Sequence, residues 1–401
     1  MSGEILFLAH RNPYPPDRGD KIRSWHLLRH IAKIAPTHVV ALYDDARDLA
    51  HLPVLEGVAA SVALEPRLVS KPRAALKALF SSGSASVAAF ASDAVQRHVD
   101  RLLATRQIKT IFAYSGQMAQ FVPVKREGIR FVMDFVDMDS AKFATYAQQA
   151  SGLSAFANAQ EAKRLFAFER AVATRADLSL FVSEAEAALF RRETGLGERQ
   201  VSFIENGIDL DAYDPATPRG GVESGEGALI VFTGQMDYRP NVDAVEGFAR
   251  YALPLIRARH PTANFAIVGR NPTAEVTALV GLPGVTVTGE VLDTRDWLAA
   301  ADVVVAPLLL ARGIQNKILE AMAMAKPVVA SLAAAEGIDA SESDGLIVAQ
   351  DWASQADAVL ALLANPARAK AAGRAARARM IARYGWDARL AGLGAMLGFE
   401  A

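Results

Sequence analysis

Short apolar runs recur along nearly the whole chain, and stretches of helical periodicity separate them. Ile5–Ala9, Thr37–Leu42, Ile111–Tyr114, Phe131–Phe135, Leu178–Val182 and Val201–Ile204 form one series. Leu229–Phe232, Asn264–Val268, Val285–Thr288, Val303–Ala306 and Pro327–Ala330 form a second. Strands this apolar cannot leave one face in water. Amphipathic stretches such as Ser24–Ala35 and Asp243–Arg257 supply what covers them, so the pattern predicts parallel sheets buried on both faces. The segment Asp211–Gly227 interrupts the alternation with two prolines and four glycines, and it reads as a linker between two α/β halves.

Composition narrows the function classes. A length of 401 residues suits two or three domains, and 51% apolar residues can fill their cores. Lys+Arg 43 against Asp+Glu 44 leaves a net charge of -1, with no general basic field to attract nucleic acid. The absence of cysteine removes disulfides, thiolate metal sites and Cys nucleophiles. Ile5–Ala9 is too short and wrongly flanked for a secretion signal, and no long apolar run follows. The expectation is a cytoplasmic protein with at most peripheral contact with the inner membrane.

Several familiar motifs fail on inspection. No Gly-Lys-Ser/Thr marks a P-loop, and Gly225-Glu226-Gly227 precedes a strand where a dinucleotide fingerprint would follow one. His26 and His30 have helical spacing, but Leu27 stands where a zincin needs glutamate. Asp137-Met138-Asp139 has an Asp-x-Asp form, yet one carboxylate pair offers a hard cation too few oxygens, so no metal is expected.

The informative segments are loops that follow strands. His10-Arg11-Asn12-Pro13-Tyr14-Pro15-Pro16-Asp17-Arg18-Gly19-Asp20-Lys21 leaves the first strand and enters a helix, a position where open α/β sheets bind anions. Asn206-Gly207-Ile208-Asp209 closes the first half as a turn or hinge segment. After Ala306-Pro307 a polar turn, Arg312-Gly313-Ile314-Gln315-Asn316, opens a helix with Lys317 and Glu320 in its first turn. Free backbone N–H groups and Lys317 suit a diphosphate, while Glu320 can accept from a sugar or ribose diol.

Taken in order, these segments resemble the retaining GT-B glycosyltransferases, the "glycosyl transferases group 1" or family 4-like enzymes. The matching residues are Pro15-Pro16-x-x-Gly19, Val182-Ser183-Glu184, Asn206-Gly207-Ile208-Asp209, Phe232-Thr233-Gly234, Val268-Gly269-Arg270 and Leu319-Glu320-Ala321-Met322-Ala323-x-x-Lys326-Pro327. A narrower similarity joins Leu8–Arg23, Asp134–Ser140 and Gly313–Lys317 to sugar transferases of exosortase/PEP-CTERM and exopolysaccharide systems.

The resemblance implies two Rossmann-like domains facing each other across a cleft. The N-terminal, acceptor-side domain would span 1–210, the linker 211–227 and the nucleotide-sugar-binding domain 228–384. The helix in 385–401 would cross back to the first domain. It also implies a UDP- or GDP-sugar donor, no tightly bound cofactor, and a glycan or lipid-linked acceptor. Gly19, Gly234, Arg270, Arg312, Gly313, Ile314, Gln315, Asn316, Lys317 and Glu320 would bind the donor. Asp137, Lys317 and Arg270 would carry catalysis. His10, Arg11, Arg18, Asp20, Lys21 and Ser115 would border the acceptor.

Three departures from the family pattern stand out. Arg312 occupies the place of the first family glutamate. Gln235 and about Asn241 replace the usual Arg and Lys of the diphosphate site, and Asp137 stands where histidine is common. Redistribution of the cationic role among Arg239, Arg270, Arg312 and Lys317 would preserve the site. A nucleotide-sugar 2-epimerase of the same fold, or a non-catalytic nucleotide-sugar-binding subunit, remains an alternative. Two basic stretches, Lys71–Phe80 and Arg368–Arg389, are candidate membrane-facing helices or ordinary solvated faces.

Overall fold

The computed structural model describes residues 3–68, 83–223, 225–311 and 314–399. The chain divides into two compact units. The first comprises residues to Asn206 with those from Arg389 onward, and the second is Gly207–Ala388.

In the first unit seven strands form a parallel sheet: β1 (Glu4–Ala9), β2 (Thr37–Tyr43), β3 (Ser61–Pro66), β4 (Ile108–Tyr114), β5 (Arg130–Val136), β6 (Leu178–Phe181) and β7 (Val201–Phe203). Their order is β3-β2-β1-β4-β5-β6-β7, with Ile5 paired to Thr37 on one side and Thr110 on the other. Ile5–Ala9 is buried throughout, and Phe7 stacks on Phe112 with ring centroids 5.4 Å apart. Each such side chain withdrawn from water contributes about 1.5–3 kcal/mol.

Helices cover both faces: α1 (Gly19–Ile34), α2 (Asp93–Thr105), α3 (Asp139–Gln149), α4 (Gly152–Arg175) and α5 (Glu184–Thr194). Ser92 caps α2 by accepting from the Val95 N–H, and Ser183 caps α5 by accepting from that of Glu186. Gly195, at φ 76°, ends α5 in the left-handed conformation. The final segment belongs to this unit as well. Leu393 and Leu397 are fully buried, and the Leu397 carbonyl accepts from Thr110 Oγ1 at 2.8 Å.

The second unit holds a six-stranded parallel sheet in the order β10-β9-β8-β11-β12-β13. Its strands are β8 (Leu229–Thr233), β9 (Asn264–Val268), β10 (Val285–Gly289), β11 (Val303–Ala306), β12 (Val328–Ala330) and β13 (Leu346–Val348). Its helices include α6 (Arg239–Gly247), α7 (Thr294–Ala300), α8 (Asn316–Ala323), α9 (Trp352–Leu363) and α10 (Pro366–Arg379). α6 runs on through a π-helical turn at Phe248–Ala252. These are two Rossmann-like α/β domains, in agreement with the parallel pattern of the sequence.

Two strands escaped the sequence pattern, and both are edges. β3 is half-buried at every position and ends in Pro66, while β13 has only three residues. An edge strand needs neither a continuous apolar run nor length. The segment 211–227 lies within the second unit. There Tyr213 packs on the core, and Arg219 pairs with Asp293 at 3.1 Å.

The basic stretch 368–389 spends much of its charge within the fold. Arg368 pairs with Glu342, Arg379 and Arg383 with Asp339, and Arg389 with Glu205. Arg377 donates to three backbone carbonyls. Lys71–Phe80 falls outside the described residues. Among the described residues no helix is long and apolar enough to cross a membrane.

Candidate functional site

Strand order reverses between β8 and β11, and the loops beyond their carboxyl ends border a cleft of about 570 Å³. That is the usual ligand position in an open α/β sheet. Thr233, Gly234 and Gln235 come from β8 and its loop, Gly269 and Arg270 follow β9, and Glu290 and Val291 follow β10. Ile314, Gln315, Asn316, Lys317 and Glu320 arrive with the start of α8, while Tyr213, Asn241 and Thr294 complete the walls.

Two glycines keep the floor open. Gly269 has φ 152°, and a Cβ there would stand 1.7 Å from the Gly234 carbonyl oxygen. A Cβ on Gly234 would approach Asn241 Nδ2 to 2.8 Å and Lys317 Nζ to 3.1 Å. Backbone and cation thus line the cleft directly. The N-cap residue of α8, Gln315, gives the first turn no side-chain cap, which leaves backbone donors at a positive helix end.

Lys317 is the principal cation. Its ammonium donates to Asn241 Oδ1 at 2.6 Å and lies 4.0 Å from the Phe232 ring centroid. Among the described residues no carboxylate lies within ion-pair distance of it. Burial pulls its pKa down to about 7, against the opposing charge of Glu320. Burial likewise pushes Glu320 up to about 6, although the Tyr213 hydroxyl donates to it and Lys317 attracts it. Burial and the neighbouring Glu320 raise the Tyr213 phenol. Arg270 Nη2 donates to Gln235 Oε1 at 3.2 Å, and the Arg270 carbonyl accepts from the Met236 N–H at 2.9 Å.

This geometry can hold an anion between Lys317, Arg270 and the α8 terminus, and a diol against Glu320. Of the residues expected to bind a donor, Gly234, Arg270, Ile314, Gln315, Asn316, Lys317 and Glu320 come together here. Arg312 and Gly313 lie outside the described residues. Gly19 belongs to the first unit, where it opens α1, and a Cβ on it would meet nothing within 4 Å.

The other expected residues cluster at the carboxyl ends of β1, β4 and β5. Arg11 is clamped between Asp20 at 2.6 Å and Asp44 at 2.9 Å. His10 Nε2 lies 3.4 Å from Asp20, with its ring stacked on Tyr114. Burial lowers the His10 pKa, whereas hydrogen bonds from His10 and Arg11 hold Asp20 well below the usual carboxylate range. Arg18 is exposed, 3.8 Å from Asp20. Lys21, expected to border the acceptor, has its ammonium buried against Asp48 at 3.1 Å, so its charge is neutralised within the fold. Ser115, at φ 72°, donates to the Gln117 side chain.

Asp137 follows Val136, which sits in the left-handed region at φ 71°. Its carboxylate accepts from Lys142 at 2.7 Å, and Asp139 shares that ammonium at 3.2 Å. The loop is held from within, because the Met138 N–H donates to Glu186 and the Ser140 N–H and Oγ donate to Glu169. Burial pushes Glu169 up to about 7. Among the described residues no group of three or more His, Asp or Glu side chains is arranged to hold a metal.

Sequence reasoning missed Tyr213, because its surroundings read as a linker. It also left Gly269 without a role, although the Val-Gly-Arg pattern marks the spot. Asn241 and Gln235 stood out only as replacements for cations.

Residues 227–365 match the family model "Glycosyl transferases group 1". The D-inositol 3-phosphate glycosyltransferase 2 of Catenulispora acidiphila is 31% identical over 247 residues, 56% of this chain and 56% of that protein. The phosphatidyl-myo-inositol mannosyltransferase of Propionibacterium freudenreichii is 29% identical over 163 residues, 39% of each chain. The chain thus spans about half the length, or less, of these curated relatives. The structure of Anabaena Alr3699/HepE in complex with UDP superposes with a TM-score of 0.58 at 16% identity, covering 98% of this chain and 99% of that one. That likeness establishes the two-domain fold of GT-B glycosyltransferase structures.

Proposed function

We propose that this protein is a glycosyltransferase that moves a sugar from a UDP- or GDP-sugar to a glycan or lipid-linked acceptor, with retention at the anomeric carbon. The observation that carries the reading is Lys317. A half-buried ammonium that no carboxylate among the described residues pairs with, beside Arg270 and a helix start without a side-chain cap, is a site built for an anion from outside. The family match over 227–365 takes in that cleft apart from Tyr213, and a solved structure of the same fold carries UDP.

In this reading Lys317, Arg270 and the first turn of α8 hold the diphosphate. As the bond from the anomeric carbon to the phosphate oxygen breaks, its electron pair stays on the diphosphate, and these groups stabilise the added charge. Glu320, positioned by Tyr213, accepts from the ribose hydroxyls. Gly313, Ile314 and Gln315 present backbone to the sugar, Asn316 joins them in binding the donor, and Arg312 adds to the cationic help for the diphosphate. Asp137 contacts the donor sugar or the acceptor hydroxyl. Gly19 borders the donor phosphates, and His10, Arg11, Arg18, Asp20 and Ser115 border the acceptor. Lys21 supports that loop from beneath through Asp48. The proposed setting is exopolysaccharide or cell-surface glycan synthesis in the cytoplasm, with peripheral contact at the inner membrane. The lipid-linked acceptor is supported by a relative named as a phosphatidyl-myo-inositol mannosyltransferase.

A thermal-shift and hydrolysis screen of UDP- and GDP-sugars tests the proposal, comparing wild type with Glu320→Ala and Lys317→Ala. A ligand at a hundred times its Kd adds about 2.7 kcal/mol of stability. One nucleotide sugar should stabilise the wild type alone and turn over slowly to nucleoside diphosphate. Failure of every nucleotide to bind would overturn the reading, and release of an epimerised free sugar would favour the epimerase.

A further inference from the structure

Two carboxamides stand in the cleft, and each meets a cation supplied by another part of the chain. Asn241 lies on α6 and holds Lys317 from α8 at 2.6 Å. Gln235 lies in the loop after β8 and holds Arg270 from the loop after β9 at 3.2 Å. Both amides are locked in orientation by their other end. Asn241 Nδ2 donates to the Gln235 carbonyl at 2.8 Å, and Gln235 Nε2 donates to Asp237 Oδ1 at 2.6 Å. Flipping either amide would set an NH2 group against a cation, so the network itself fixes which atom faces which.

We infer that Asn241 and Gln235 are positioning residues, each using its carboxamide oxygen to aim a cation from another element at the anion bound in the cleft. The inference rests on the reading of the cleft as a nucleoside-diphosphate site. A neutral acceptor suits this task better than a carboxylate. It fixes the direction of the ammonium without pairing its charge, so the charge of the protonated form is left for the ligand. Lys317 has three N–H donors. One goes to Asn241, the Phe232 face stabilises the cation from another side, and the remaining capacity is available to the cleft. The chain thereby presents two cations, Arg270 and Lys317, beside the neutral residues at positions 235 and 241.

Among the described residues the charged and titratable groups lining the cleft with Lys317 include Glu320, Tyr213, Arg270 and Glu290. Glu320 shares its helix, and Tyr213 donates to Glu320. On α6, Arg239 and Asp243 pair with one another at 2.6 Å. Across the floor, Asp237 is engaged by Gln235 and Asn271.

The decisive experiment follows the Lys317 ammonium by lysine-selective NMR across pH in the ligand-free full chain. Asn241→Leu removes the acceptor and should shift the Lys317 titration to lower pH, whereas Asn241→Asp should shift it to higher pH. Gln235→Leu should leave it in place, because Gln235 serves Arg270. A Lys317 titration indifferent to both Asn241 variants would overturn the inference. A second arm measures UDP and GDP binding by calorimetry. Asn241→Leu and Lys317→Met should each weaken binding about tenfold, and the double variant no more than the worse single one. Losses that multiply would mean that Asn241 acts independently of Lys317, which also overturns it. If wild type binds neither nucleotide while the NMR shifts appear, the nucleotide reading fails and the positioning of Lys317 stands.

Discussion

Gly269 and Gly234 meet backbone to backbone. The space where Gly269 would carry a Cβ is filled by the Gly234 carbonyl, 1.7 Å away, and Gly269 itself sits at φ 152°. The ends of β8 and β9 approach this closely because Gly269 has no side chain, whereas the missing side chain of Gly234 leaves room for Asn241 and Lys317.

Gly269→Ala should therefore be severe. Strain at this φ and the clash with backbone should cost about 3 kcal/mol or more, measured by urea unfolding, and nucleotide binding should be lost with it. Gly19→Ala is the contrast. Its Cβ enters open space at the start of α1, so stability should change by no more than about 0.5 kcal/mol. Weakened nucleotide or acceptor affinity in a fully stable Gly19→Ala would report a ligand against that residue.

The pH dependence follows from Lys317. Its pKa is about 7 in the folded chain against 10.5 for the free side chain, so between those values the unfolded chain binds more protons. Stability should then rise with pH from about 7 upward. Lys317→Met removes this contribution. The variant should melt above wild type at pH 7, and the gap should narrow toward pH 9. Nucleotide affinity should run the other way in wild type, stronger at pH 7 than at pH 9. A melting difference that stays constant across that range would contradict the burial argument.

Glu320 has the opposite slope. Its folded pKa of about 6 lies above the ordinary 4.5, so the native chain holds the extra proton between them and stability should fall as pH rises through that window. Tyr213→Phe removes the donor that steadies the carboxylate. The expected loss is about 1 kcal/mol of stability, with a weaker nucleoside interaction and kcat less affected than KM. An unchanged KM would remove Tyr213 from the binding machinery.

Arg23 offers a prediction for the first unit. It is 1% exposed, pairs with Asp134 at 2.9 Å, and donates to the Ile204 carbonyl and Asn206 Oδ1 at the end of that unit. Arg23→Ala strands a buried carboxylate and should cost about 3–5 kcal/mol, while Arg23→Met with Asp134→Leu should recover much of it. Urea denaturation of both variants decides the matter.

Local sequence determined the periodic features of this protein. Runs such as Ile5–Ala9 and Val303–Ala306 announce buried parallel strands, because their apolar character has only the interior to go to. The three-residue spacing of Lys317 and Glu320 sets both on one face of α8. The edges β3 and β13 were hidden because half-buried or very short strands carry no such periodicity. Tertiary structure decided the chemistry. It brought Asn241 to Lys317 across 76 positions, moved Tyr213 from an apparent linker to the side of Glu320, and buried Lys21 against Asp48. Charge state, aim and accessibility depend on what surrounds a group in three dimensions, and pattern along the chain records only which groups are present.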